Sequence, residues 1–522
     1  MRRMRRLAGA VVAAAVLGLG IAACGDDDSG GTSGTIIRGT TDQPVAYDPA
    51  GAYDLPSYDV IYNVYQNLLT YPPGETKPQP EAAESCEFTD DVTFECTMRD
   101  GLKFSDGSPL TAEDVVFSFE RNVEIADPNG ASSLLANMKS IEAPDDKTVV
   151  FNLKEPDATW PAVITTASFA IVPSDTYPAD KLQDSAEVIG SGRYQVAEYE
   201  PGQQTVLQVN DEYTGDDPPK TDQAIIQYFD KASALKLALE QGDVDIAYRS
   251  LSPTDIEDLR GAEGVEVVAG EGAEIRYLVF NLKLQDGTDE QKQAVRQAVA
   301  QTIDRQSIVD NVYGGTVKPL YSMIPASLDY STEAFADAYG EAPDLEGAEQ
   351  TLADAGVKTP VPLEVWWTPS HYGAASGDEY AEIKRQLDES GLFDVTLKST
   401  EWNQYSTSAF TDKYPQYQLG WFPDYPDPDD YAASFYAPTS FLNIHYDNPE
   451  MNKLLAEEKA ATDPAVREKA FARIQEIGAE EVPTIPIWEG DQVAGAREGV
   501  EGLAETFDPA FIFRFWLLSK ES

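Results

Sequence analysis

Along most of the chain, apolar residues recur either at every second position or at every third to fourth, and the two patterns alternate. Thr148–Leu153 (TVVFNL), Val244–Tyr248 (VDIAY) and Arg276–Asn281 (RYLVFN) read as strands, the second of them following Gly242. Helices are placed by their start and stop signals. Thr111 precedes Ala112–Phe119 as an N-cap, with Glu113 and Asp114 at the positive end of the helix dipole. Over Asp289–Asn311 the residues Val295, Val299 and Ile303 repeat every four positions and predict one buried face, ended by Gly314-Gly315. Asp463-Pro464 opens another helix with Val466, Ala470, Ile474 and Ile477 inward and Pro483 beyond its end. No internal repeat of about 20–50 residues is visible, which argues against solenoids and propellers. Mixed strands and helices over this length predict an α/β protein of more than one lobe.

The N-terminus departs from this pattern. Met1–Arg6 holds four arginines, and Leu7–Ala23 holds no charge, which is the basic-then-apolar order of a secretory signal. Ile21-Ala22-Ala23-Cys24 follows and resembles the lipobox of bacterial lipoproteins, in which the cysteine is lipidated before cleavage. A plain transmembrane anchor is the competing reading. Seventeen apolar residues, many of them Ala or Gly, sit at the short limit for a span of about 17–25. A cysteine at the junction and the polar run Gly25–Thr35 favour the lipoprotein. We therefore expect a signal peptide at 1–23, lipidation at Cys24, a flexible tether at 24–35, and an extracytoplasmic protein on the outer face of the cytoplasmic membrane.

Charge and cysteines narrow the classes of partner. The 522-residue chain carries a net charge of −52, and loss of the signal arginines takes this to about −56. Such a surface repels phosphate backbones, so nucleic acid is excluded as a partner. The acids are spread along the chain, as solubility alone would require. With Cys24 lipidated, Cys86 and Cys96 remain, flanking Glu87–Glu95 with its Asp90-Asp91 turn. This reads as a hairpin whose ends a disulfide joins in an oxidising compartment. A metal site would need further ligands, and no histidine lies near. The chain has two histidines, His371 and His445, and no HExxH, GxSxG or phosphate-binding GxxxxGK[ST] motif. Acid pairs such as Asp424 and Asp427 could run glycoside hydrolysis, but among 90 acids such pairs arise by chance. The expectation is a non-enzyme with no cofactor and no metal.

Several segments, in order, resemble the bacterial extracellular solute-binding proteins of family 5, the peptide- and nickel-type receptors of ABC importers. They are Thr97–Arg121 (TMRDGLKFSDGSPLTAEDVVFSFER), Gly190–Tyr194 with Asn210–Tyr213, and Leu239–Asp245. Tyr277–Asn281 with Val295–Ala298 and Ile303–Arg305, then Ala348–Gly356, and finally Gly420–Pro428 (GWFPDYPDP) complete the series. Arg193 stands where the family usually has proline. The resemblance implies a two-lobe periplasmic-binding-protein-like fold (type II-like, cluster C) with an extra domain on the first lobe. It places domain I at 36–76, 189–277 and 489–522, domain II at 77–188 and domain III at 278–488, with a hinge near 277 and 489.

The same resemblance implies a site. A receptor for many peptides binds what they share, their ends and backbone, and leaves side chains in hydrated pockets. Asp424 matches the family's partner of the peptide α-ammonium group, a charge-assisted bond strengthened in a closed cleft; from the residues alone it could equally cap a turn. Gly420 and Phe422 would offer a strand edge to the peptide, Trp421 would wall a side-chain pocket or pack in the core, and Leu55 of Tyr53-Asp54-Leu55 would belong to the facing strand. Pro423 removes one N–H from this loop. For the ligand carboxylate, His371 is the leading candidate beside Lys413 and Arg276, while Gln418 stands where some relatives carry arginine. The implied partners are a peptide and an ABC permease–ATPase complex, with the receptor itself a monomer. Other ligands of such a fold (oligosaccharides, opines, heme, metal chelates) stay open, with nickel disfavoured by the two histidines, as does a sensory or chaperone-like receptor.

Overall fold

A computed structural model describes residues 34–369 and 371–520. The signal segment, Cys24 and nearly all of the tether lie outside the described residues. Thr35, assigned to the tether from sequence, is already the first residue of a strand, Thr35–Thr40. Among the described residues no helix is long and apolar enough to cross a membrane.

The architecture is mixed α/β, built on one large sheet. Its two central members are long antiparallel strands, Val265–Phe280 and Thr484–Arg497, paired from Val265↔Arg497 to Val279↔Thr484. The pairing slips between Gly270 and Glu274 and again between Arg276 and Tyr277, and such irregularities bend and twist a strand pair. On one side the sheet continues through Gln416–Trp421, Val361–Trp367 and Phe393–Ser399. On the other it runs through Ile246–Tyr248, Thr35–Thr40, Gln223–Tyr228, Gln204–Val209 and Tyr194–Glu200. The strand read at 276–281 is thus the end of a much longer one.

Apolar packing divides along the same line. One cluster joins residues 36–248 with 494–518 and includes Tyr47, Phe119, Trp160 and Phe513. Two others gather residues of the 273–488 stretch, around Val299, Ile383 and Ile485 in one and Tyr277, Phe435 and Phe471 in the other. A separate four-stranded sheet, Ala83–Asp90, Thr93–Met98, Thr148–Leu153 and Met138–Glu142, packs in the first cluster. Cys86 and Cys96 pair directly across its hairpin and are disulfide-bonded.

Local chemistry explains the most distinctive motif, Thr97–Arg121. Thr111 and Asp114 form a capping box at the start of helix Ala112–Ile125, and Asp114 Oδ1 also accepts from the N–H and hydroxyl of Ser174. The motif's last residue, Arg121, reaches from that helix to the buried Asp48, with Nη1 and Nη2 at 2.8 and 2.5 Å from its two oxygens. Asp48 itself caps the turn Pro49–Gly51 by accepting from the Ala50 N–H. The pair therefore fixes one lobe's first turn to its amphipathic helix with every charge satisfied.

One helix differs from expectation. The periodic stretch 289–311 is two helices, Asp289–Thr302 and Arg305–Val312. Ile303 is extended, and Asp304 caps the second helix through the Ser307 N–H at 2.9 Å. Val295, Val299 and Ile303 are nevertheless all buried, so the four-residue rhythm survives a break that a local aspartate cap imposes.

Replacing Arg121 by methionine leaves the Asp48 carboxylate buried without its cation. We expect a loss of about 3–5 kcal/mol in unfolding free energy, read from the urea midpoint, with unchanged secondary structure in the fraction that folds.

Candidate functional site

The strand Ile246–Tyr248 ends at the centre of the molecule, beside the two long strands. From there a cavity of about 430 Å3 opens, within the common range for small-ligand sites of about 300–1,000 Å3. Its lining includes Tyr248, Arg249 and Ser250 at the end of that strand, Tyr313, Tyr372 and Phe422 from the other half, and Glu274, Trp488 and Gln492 of the long strands. Six aromatic side chains line it, together with the charged groups Arg249, Asp255, Glu274 and Asp491.

Next to this cavity the segment Gly420–Pro428 crosses between the two sets of packed residues. Phe422 packs edge-on against Phe511, with ring centroids 5.5 Å apart. Three residues later Tyr425 is buried in the cluster of the 36–248 region. Leu55 touches both that cluster and the one containing Trp421 and Phe422. Between these contacts lies Asp424, half-buried. Its N–H donates to Asp430 Oδ2 at 3.0 Å, and the same oxygen accepts the Trp421 indole N–H at 2.8 Å. The Thr166 hydroxyl donates to the Asp424 carbonyl at 3.3 Å, and the Tyr53 hydroxyl bonds its carboxyl.

Burial pushes the Asp424 carboxyl up to about 6, and the Tyr53 hydrogen bond offsets only part of this. Burial pushes the fully enclosed Asp430 well above the carboxylate range, with the Asp424 charge adding to it. Asp424 is therefore the member of the pair that carries charge at neutral pH. Among the described residues no lysine or arginine forms an ion pair with it, whereas neighbouring Asp427 has Arg467 at 2.6 Å and caps helix Pro428–Tyr436.

The residues singled out from sequence thus fall into different places. Phe422 lines the cavity with its ring; it lies one residue beyond the strand Gln416–Trp421, so it offers a wall and not the strand edge expected of it. Gly420 is in that strand opposite Arg276, and its N–H is directed at the Tyr372 hydroxyl. A Cβ at 420 would sit 2.2 Å from Arg276 Nη1, so a side chain there would displace the arginine lying across it. Trp421 stacks on Phe441 at 5.1 Å and holds Asp430, which is a positioning role within packed aromatics. Leu55 is the first residue of helix Leu55–Val64, capped by Asp54, and not part of a facing strand: the Asp54 carboxyl bonds the Ser57 N–H and turns the chain into a helix.

His371 also departs from expectation as a cationic partner for a ligand carboxylate. Its ring lies flat on Trp402 at 3.6 Å, and desolvation together with the Arg276 charge lowers its pKa to about 4, which leaves it neutral. Its neighbour Tyr372 lines the cavity instead. Of the other candidates, Lys413 reaches Ser408 Oγ at 3.4 Å, and Gln418 is buried against Ser376. Arg276 pairs with Glu274 at 2.5 Å between the rings of Tyr372 and Trp488. Sequence reasoning missed Arg249, Tyr53 as the partner of Asp424, and Thr166. No local signal marks them, because each acquires its role through contacts between distant segments.

Two packed halves joined by a bent strand pair, with an aromatic cavity and a crossing loop between them, define a two-lobe periplasmic-binding fold. The model of the bacterial extracellular solute-binding proteins, family 5, matches residues 77–443, and the chain belongs to that family. It is 26% identical over 484 residues to the periplasmic oligopeptide-binding protein OppA of Haemophilus influenzae, covering 87% of each chain. It is 24% identical to the dipeptide-binding protein DppE of Bacillus subtilis, covering 92% of this chain and 91% of that one. Among solved structures it resembles the periplasmic binding protein DppA of Helicobacter pylori in complex with the peptide STSA. That match has a TM-score of 0.76 at 21% identity, over 94% of this chain and 98% of the other.

A carboxyl whose folded pKa lies above its ordinary 3.8 binds its proton more tightly in the folded state, so it costs stability as pH rises through about 6. A rise of this size corresponds to about 3 kcal/mol at most, and partial exposure brings it to about 1–2 kcal/mol. We expect ligand-free Asp424→Asn to match the parent protein near pH 4 and to exceed its stability by that amount at pH 7.5, measured by thermal unfolding at both values.

Proposed function

We propose that this protein captures peptides in the cleft between its lobes and delivers them to the permease and ATPase of an ABC importer. The observation that carries the reading is the Asp424 carboxylate: desolvated, charged at neutral pH, beside the cavity wall, and without a cation of its own among the described residues. A peptide's α-ammonium group supplies the missing charge, and a charge-assisted bond out of water is far stronger than one at a surface. Tyr53 and Thr166 come to this acid from the opposite lobe, so the anchor is completed by closure.

In this reading Phe422 walls the space for the ligand, and Trp421 and Asp430 hold the loop that presents Asp424. Gly420 admits Arg276, and Leu55 seats the first lobe against the loop. Domain I comprises 36–76, 189–277 and 489–522, domain II 77–188 and domain III 278–488. The register shifts at Gly270/Glu274 and Arg276/Tyr277 support a hinge in the two long strands. The mature protein begins at lipidated Cys24 and is tethered to the outer face of the cytoplasmic membrane, as the lipobox-like Ile21–Cys24 supports. It acts as a receptor and not as an enzyme. The one hydroxyl–carboxylate pair in its lining, Ser252 with Asp255 among the described residues, is the capping box of helix Pro253–Arg260, and the carboxylates Glu274 and Asp491 are taken up by Arg276 and Lys318.

The aromatic lining of the cavity favours one second reading, a ring-bearing solute such as a sugar conjugate or opine stacked on Tyr248, Tyr372 and Trp488. Mass spectrometry of the molecules retained by the purified protein separates the two: peptides are expected, and a uniform non-peptide solute overturns the assignment.

Asp424→Asn should weaken binding of free-amine peptides by about 2–5 kcal/mol, roughly 30-fold or more, in titration calorimetry. N-acetylated peptides should bind the parent protein with a comparable loss. Equal affinity of the variant and the parent for free-amine peptides rules out Asp424 as the anchor.

A further inference from the structure

We propose that Arg249 is the group that receives a carboxylate of the bound molecule. The assignment rests on the peptide reading above and adds to it the anionic partner that sequence reasoning sought elsewhere.

The backbone brings this side chain to the cavity at a cost. Arg249 and Ser250 both adopt left-handed conformations, with φ of 68° and 65°, which side chains other than glycine enter at about 1–2 kcal/mol per residue. Two such residues in succession, in the lining of this cavity, turn the chain sharply after the strand Ile246–Tyr248 and set the arginine into the wall. Its guanidinium lies over the Phe422 ring at 4.9 Å, reaching across to the loop that carries Asp424.

The donors of Arg249 are largely unspent. Nε lies 3.1 Å from Asp42 Oδ2, and among the described residues neither terminal nitrogen forms a hydrogen bond. The other charges around the cavity are already matched: Glu274 by Arg276 at 2.5 Å, Asp491 by Lys318 at 2.8 Å, and Asp255 by Lys236 at 3.8 Å. Arg276 is also committed to the Ile275 carbonyl and clamped between two rings. Asp42 takes the Nε side of Arg249 and leaves the paired terminal nitrogens, the fork that accepts both oxygens of a carboxylate. Asp424 and Arg249 then flank Phe422 as acid and base, the polarity that a zwitterionic ligand requires.

The carboxylate can come from a peptide's C-terminus or from an aspartate or glutamate side chain, and calorimetry with three probes tells these apart. The probes are a neutral tripeptide with a free C-terminus, its amidated form, and an amidated tripeptide carrying one glutamate. The parent protein should bind at least one carboxylate-bearing probe tenfold or more tightly than the neutral amidated probe. Arg249→Gln should abolish that preference while binding the neutral amidated probe as the parent does, and Arg249→Lys should restore part of it. Loss with the first probe assigns the carboxylate to the C-terminus, and loss with the third assigns it to a side chain. Equal preference in the parent and Arg249→Gln overturns the role of Arg249 alone. A parent protein that binds none of the three overturns both this assignment and the peptide reading. Circular dichroism and melting temperatures of both variants, expected to match the parent, guard against a folding defect.

Discussion

Everything about the ligand cleft depends on the pairing of two strands. Val265–Phe280 and Thr484–Arg497 are the members of the large sheet to which both packed halves attach. Most of the pairing is ordinary antiparallel ladder, which resists shear along its length because each residue is hydrogen-bonded to its opposite. Where the register slips, between Gly270 and Tyr277, the ladder is interrupted. Gly270 and Gly272 there pack too closely on Phe507 and on the Gly490 carbonyl to admit a side chain. The cavity opens beside this interruption, with Glu274 and Trp488 in its lining. One strand pair thus joins the halves and forms the back wall of the cavity.

The electrostatics of the cleft follow from what surrounds each charge, not from the charge count. A net charge of −52 repels anions at long range, yet within the cavity the acids are individually neutralised and an arginine keeps donors to spare. Conversely Asp424, in the Gly420–Pro428 loop, forms no ion pair among the described residues, whereas Asp427 of the same loop is bound by Arg467 and the following helix encloses Asp430 beneath Trp421. Charge summed over the surface is screened within about 10 Å in salt, whereas pairing acts at about 3 Å.

Much of the fold was legible because it rests on local rules. The Thr111 capping box, the Asp463-Pro464 helix start and the hairpin closed by Cys86 and Cys96 are all set by residues within a few positions of one another. Where a local rule went unread, the reading failed: the Asp304 cap split a helix whose apolar rhythm ran on through it, and Asp54 began a helix at Leu55 where a strand was expected. The motif singled out Asp424 as a candidate but not its environment, since Tyr53 and Thr166 arrive from far along the chain. His371 was attractive as a base in a loop; stacking on Trp402 and the nearby Arg276 remove its charge. Arg249 carried no signal at all, because a left-handed backbone at a non-glycine residue and an approach to Phe422 across the cleft are both products of tertiary structure.

The crossing loop has one further consequence. Tyr425 is buried among side chains of the lobe opposite its own strand, and the Thr166 hydroxyl holds the neighbouring carbonyl. Parting the halves would withdraw that ring and that hydroxyl together and let water reach the carboxylate at 424. An acid surrounded by water holds an ammonium ion only weakly, so the opening movement would itself loosen the grip. On the proposed reading, the displacement that clears an exit would also weaken the bond to the cargo, with no separate trigger.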